Sequence, residues 1–200
     1  MAVASNDYKT IYHRLYETGY HSGGLNHGAR MADPIIENYD FESVLDIGCS
    51  QGLAVKKFQD AGKRACGIDV SKKAIEMARE MNVEGCVMAS ATDIPFGDDE
   101  FDAVYTTDML EHLSEDDVPK AAAEICRVAK KYIFANIAFV PEKNKEPLKV
   151  LHEKFDDMDE VDCLHLTVKP REWWIEQFEN EGASVVEAEG PNGMVILKVD

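Results

Sequence analysis

VLDIGCSQG (44–52) decides how this chain is read. An apolar run carrying Asp46 ends at Ile47, and two glycines then bracket Cys49-Ser50-Gln51. SVLDIG (43–48) reads as a buried strand, and the glycines beyond it let the backbone turn tightly and let a ligand approach it. LAVKKFQDAG (53–62) follows with helical spacing: Leu53, Ala54, Phe58 and Ala61 share one face, and Gly62 suits the residue just past the helix end. A strand thus passes through a glycine turn into a helix whose first N–H groups are unsatisfied, which raises the question of what the turn holds.

The same alternation continues outward. RACGIDV (64–70) reads as a second strand. Ser71 is placed to cap the next helix, with Ala74, Ile75, Ala78 and Met81 inward. EGCVMAS (84–90) and FDAVYTTD (101–108) read as the third and fourth strands. A helix is predicted over 115–129, with Ser114 and Asp117 spaced as a capping box and Val118, Ala121, Ala122, Ile125 and Val128 inward; Pro119 fits there only in the first turn. KYIFANIAF (131–139) reads as a fifth strand. Residues 140–168 are polar and irregular. Pro170 opens a helix through Trp174 and Phe178 to Gly182, and SVVEAEGPNGMVILKV (184–199) reads as two antiparallel strands around Pro191-Asn192-Gly193. The expectation is one α/β domain over 1–200: a doubly wound, mostly parallel seven-stranded sheet, helices on both faces, and a C-terminal antiparallel hairpin. Residues 1–40 are expected as an N-terminal helical lid and 140–169 as a substrate-side insertion. Tyr8, Tyr12 and Tyr16 form one helical stripe, with two readings: a stripe docked on the sheet domain, or a lid over the site hinged at HSGG (21–24).

Composition narrows the partners. The 200 residues hold 38 acids against 21 Lys and Arg, a formal charge of −17. Asp93 to Asp117 alone carries ten acids and neither Lys nor Arg. Such a chain repels nucleic acid and anionic membrane. No apolar run reaches the roughly 18 residues that span a bilayer, and the polar first residues do not form a signal peptide. Cys49, Cys66, Cys86, Cys126 and Cys163 form no CxxC pair, which fits a reduced, cytoplasmic chain. His112, His152 and His165 show no metal-ligand spacing, and no metal is expected.

In sheets of this kind ligands sit beyond the carboxyl ends of the strands. Asp46 and the glycine turn end the first strand. Asp69 ends the second, 23 residues on, where a carboxylate can accept both hydroxyls of a ribose. After the third comes ATDIPF (91–96), where Asp93 can accept from an exocyclic amine and Ile94 can pack on a flat base. After the fourth comes TDMLEHL (107–113). Each feature alone is also an ordinary cap or turn; together they follow the order that a nucleoside site needs. The spacing lacks two of the three glycines of G-x-G-x-x-G, and there is no GxxxxGK[ST] loop, so the nucleoside carries no phosphate.

VLDIGCSQG, GIDVS (67–71), ATDIPF and FDAVYTTDMLEHL (101–113) resemble the successive motifs of a class I S-adenosylmethionine-dependent methyltransferase of the small-molecule, methyltransferase type 11-like kind. The likeness covers about residues 40–137, with Ser50 at the middle glycine of E/D-x-G-x-G-x-G and Gly52 at the last. It implies a Rossmann-like methyltransferase fold with S-adenosylmethionine as cofactor. Gly48, Cys49 and Gly52 then pass the methionyl moiety, and Asp46 orients the loop or the ammonium group. Asp69 binds the ribose diol, with Val70 against the adenine. Thr92, Asp93 and Ile94 form the adenine segment. Thr107 and Asp108 lie along the methionine chain, and Arg30 or His27 holds the carboxylate. The implied activity is methylation of a small-molecule acceptor at oxygen or nitrogen. The alternatives are a non-catalytic cofactor-binding module and an RNA methyltransferase of the same fold. His112, His165 and Asp108 are the candidate bases; packing at a helix start or in a loop is the other reading of each histidine.

Overall fold

Seven strands form one sheet in the order β3-β2-β1-β4-β5-β7-β6: β1 (Ser43–Ile47), β2 (Arg64–Asp69), β3 (Cys86–Met88), β4 (Phe101–Thr107), β5 (Ala129–Asn136), β6 (Ala183–Glu187) and β7 (Val195–Val199). The computed structural model describes residues 7–19, 27–141, 145–158, 161–190 and 194–199. The first five strands are parallel, and β7 pairs antiparallel with both β5 and β6. The expected α/β architecture with its antiparallel close is therefore present. Pro191-Asn192-Gly193 and the HSGG segment lie outside the described residues.

Alternate strand residues feed two core layers, as a sheet covered on both faces requires. Leu45 and Ile47 of β1 and Val104 of β4 pack on one face with α5 (Val118–Val128) and α7 (Arg171–Glu179), through Ala121, Ile125, Trp174 and Phe178. Val44, Ala103, Tyr105 and Phe134 pack on the other with α2 (His27–Asn38), α3 (Leu53–Asp60) and α4 (Lys72–Glu80), through Met31, Ile35, Val55, Phe58 and Ile75. No described helix is long and apolar enough to cross a membrane.

Local signals set most element ends. Ser71 Oγ accepts the Ala74 N–H, and Gly62 takes the left-handed conformation past α3 at φ +82°. Others shift. The helix predicted from 115 begins at Val118, because Ser114 accepts backbone N–H groups through its carbonyl and no side chain caps the end; Pro119 sits in the first turn. β5 starts at Ala129, directly after α5, because Ala129 pairs with Phe101 of β4. The third strand keeps only 86–88. Ala61 and Met81, expected on inward faces, stand at the helix ends and are exposed, and Val55 takes the buried place in α3.

Two further helices build a third, smaller core. α1 (Tyr8–Glu17) and α6 (Glu146–Lys154) meet through Ile11, Leu15, Leu148 and Leu151, with Met158, Val161 and Leu164 closing a small third core. Residues 146–154 look irregular in sequence because only Pro147, Leu148 and Leu151 face inward, too few to set a period. Of the first forty residues, α1 lies over the carboxyl ends of the strands, whereas α2 packs into the sheet's core layer.

Candidate functional site

The strand order reverses its direction of growth at β1, between β2 and β4. Beyond that point lies a cleft of about 340 Å³. Its floor is the 48–52 turn. Gly48 and Gly52 have φ +76° and +79°, and Ser50 between them has φ +54°, a left-handed conformation that costs a non-glycine residue about 1 kcal/mol. Gly48 and Cys49 donate their N–H groups to the Ile68 carbonyl at 2.9 Å, which ties the turn to β2.

Asp69 closes β2 facing this turn. Its Oδ2 accepts the Ser50 N–H at 2.9 Å and its Oδ1 the Ser71 N–H at 2.8 Å. Each oxygen keeps a further lone pair for a ligand. Burial pushes its carboxyl up to about 6 against these two donors. Asp46, one strand over, is sealed more deeply: burial first, then the like charge of Asp69, lifts it to about 8. Two acids in one apolar wall suit a ligand that brings hydroxyl and ammonium donors. The flanks are Ile68, Val70, Ala89, Ala91 and Leu113, a slot for a flat ring. Among the described residues lining the cleft there is no Lys or Arg, so a phosphate would find no countercharge.

α1 supplies the roof. Tyr16 donates its hydroxyl to Ser50 Oγ at 2.5 Å, Tyr8 and Ser90 share a hydrogen bond of 3.3 Å, and the Tyr12 ring packs 5.0 Å from that of His112. The tyrosine stripe therefore docks on the domain and lines the cleft at once.

Of the residues expected at the site, Asp46, Gly48, Cys49, Asp69, Val70, Thr107, Asp108, His112 and His165 line the cleft. Five do not. Arg30 is exposed, because α2 turns Ala29, Met31 and Ala32 inward; His27, the other candidate, lines the cleft with Nε2 3.4 Å from Asp108 Oδ2. A Cβ on Gly52 would meet Val83 and Cys86, so that glycine serves packing. Thr92, Asp93 and Ile94 do not line the cleft: Thr92 and Asp93 bond to Ser90, while Glu124 Oε2 accepts the Ile94 N–H and Arg127 donates to the carbonyls of Ile94 and Phe96. Ile94 is thereby drawn into the core and Asp93 is left exposed. Ala89 and Ala91 come to the cleft instead, flanking Ser90. Their small side chains give no sequence signal. Glu111 is the group that the sequence reading missed; a glutamate inside a buried turn becomes visible only in three dimensions.

Asp46 makes a prediction. Its folded-state value near 8 lies above the ordinary 3.8, so stability held by the neutral carboxyl is complete at low pH and is lost as pH rises through about 8. Asp46→Asn, neutral throughout, escapes that loss. The stability advantage of the variant should grow by on the order of 1 kcal/mol per pH unit between about pH 4 and 8 and then level off. Urea midpoints at pH 5 and pH 8 that run parallel for the two proteins would refute a buried Asp46.

Residues 45–132 match the model of a methyltransferase domain. A ubiquinone biosynthesis O-methyltransferase from Alkalilimnicola ehrlichii is 36% identical over 89 residues, covering 42% of this chain and 35% of that protein. The O-methyltransferase resE of Aspergillus sclerotiorum is 33% identical over 128 residues, covering 57% and 47%. The chain thus spans between a third and a half of the length of these relatives. The crystal structure of YcgJ from Bacillus subtilis superposes with a TM-score of 0.61 at 24% identity, covering 81% of this chain and 71% of that one; this likeness concerns the fold.

Proposed function

We propose that this protein, whose residues 45–132 match a methyltransferase domain, is a class I S-adenosylmethionine-dependent methyltransferase that methylates a small molecule at oxygen or nitrogen. The observation that carries the reading is Asp69, a carboxylate held by two backbone N–H groups at the mouth of a cleft without Lys or Arg among its described lining residues. It fits a ribose diol. Asp46 fits an ammonium group, and the slot between Ile68, Val70 and Ala89 fits an adenine. The bound cofactor supplies a methyl group already activated by its sulfonium.

The protein's own share is alignment, exclusion of water and removal of a proton. α1 and Leu164 line the cleft together with His112 and His165. Each of these rings turns Nδ1 toward a backbone carbonyl, Leu164 at 2.9 Å and Val140 at 3.0 Å. A carbonyl only accepts, so in the neutral ring Nδ1 carries the hydrogen and Nε2 holds the lone pair of a base. Oxygen is favoured as acceptor atom by the names of the two relatives above. The charge of −17 speaks against RNA, and five free cysteines fit a cytoplasmic setting.

Calorimetry with S-adenosylhomocysteine and, separately, NAD tests the reading. Binding of the first alone is expected; binding of NAD alone would overturn it. Transfer of labelled methyl to a panel of phenols and amines then separates an enzyme from a binding module.

A further inference from the structure

His112 and His165 line the cleft, and buried Glu111 joins them, one possible ligand atom of each lying within 4.8 Å of the others. Glu111 lies on a single 3-10 turn, Leu110–His112, and is wholly buried. One carboxylate oxygen accepts the Ala138 N–H at 3.0 Å; the other, Oε2, has no hydrogen-bond partner. Leaving a sealed carboxylate oxygen unsatisfied is costly, and such groups usually mark a function. Its charged neighbour is Asp108, of the same sign. What this carboxylate lacks is a positive partner.

The two histidines are set to help supply one. Their rings are 5.0 Å apart and edge to face. Backbone carbonyls fix Nδ1–H on both, which is the second-shell arrangement that orients a ligating imidazole. Spacing of histidines along the chain hides the group, because Glu111 and His112 are neighbours and His165 arrives from a distant loop. His152, the other histidine weighed for such a site, instead bonds the Val161 carbonyl from α6.

We propose that Glu111, His112 and His165 bind one divalent transition-metal cation at the acceptor end of the cleft. Two imidazoles and one carboxylate are a donor set for zinc or for an octahedral first-row ion such as Fe²⁺, and three protein ligands leave positions open for an acceptor oxygen. An acceptor hydroxyl held there is acidified, its proton passing to solvent, and it is fixed in place. That role rests on the methyl-transfer reading above and replaces the two imidazoles as base, since a lone pair given to the ion takes no proton; binding of the ion does not rest on that reading.

The test uses the full chain stripped with chelator. Calorimetry with Zn²⁺ and absorption with Co²⁺ should show one ion per chain. Glu111→Gln and His165→Ala should each weaken it at least tenfold, while His13→Ala, which removes an exposed histidine beside Glu17, should bind like the parent. Circular dichroism checks folding; if Glu111→Gln fails to fold, His165→Ala decides. No stoichiometric ion in the parent, or equal affinity in His165→Ala, overturns the site. S-adenosylhomocysteine is titrated on the same samples: an ion bound without that ligand keeps the site and overturns the methyl-transfer reading.

Discussion

Asp69→Ala should lower affinity for S-adenosylhomocysteine by about a hundredfold, roughly 3 kcal/mol, as expected when a charge-assisted pair of hydrogen bonds is lost. The carboxylate is oriented before any ligand arrives, because Ser50 and Ser71 hold one oxygen each. Alanine removes both acceptors and leaves two backbone donors unsatisfied, so some of the loss is structural. Asp69→Asn, which keeps one acceptor oxygen, should fall between. Acid gives an independent handle: with Asp69 pushed up to about 6, affinity should fall about tenfold per pH unit below that value as the carboxylate is protonated. Affinity unchanged in Asp69→Ala would remove the ribose from this position.

Gly48→Ala should destabilise the protein by about 2–4 kcal/mol. Roughly 1 kcal/mol comes from placing a side chain at φ +76°, and about 1–3 kcal/mol from overpacking. The added Cβ would stand 2.4 Å from Met109 Cγ and 2.9 Å from Met109 Cβ. Met109 lines the same cleft, so the clash also distorts the floor beneath the ligand. Met109→Ala in the same chain should return part of the steric cost and none of the backbone cost. A double-mutant cycle in urea reads that coupling directly. A Gly48→Ala midpoint equal to the parent's would mean that the turn is not built as described.

Much of the architecture was legible because it follows from local chemistry. Apolar runs bounded by glycine gave the parallel strands, Ser71 gave a helix start, and Gly62 gave a helix end. The antiparallel close came from two apolar runs near the C-terminus. Boundaries moved where a tertiary partner outweighed the local signal, as when pairing with Phe101 drew β5 back to Ala129. α6 was illegible because its apolar face gains meaning only against Ile11 and Leu15 of α1.

The candidate site divides along the same line. Asp46, the 48–52 turn and Asp69 are strand-end residues, and a parallel sheet must deliver strand ends to one edge; sequence alone therefore determined that these groups meet. The adenine segment did not follow, because Arg127 and Glu124 on α5 bind residues 94–96, a contact between positions about thirty apart. Whether Tyr16 reaches Ser50, whether His27 or Arg30 turns inward, and whether Glu111 meets His165 depend on how helices and a late loop pack over the sheet. Those encounters are set by long-range burial, which no local pattern of residues records.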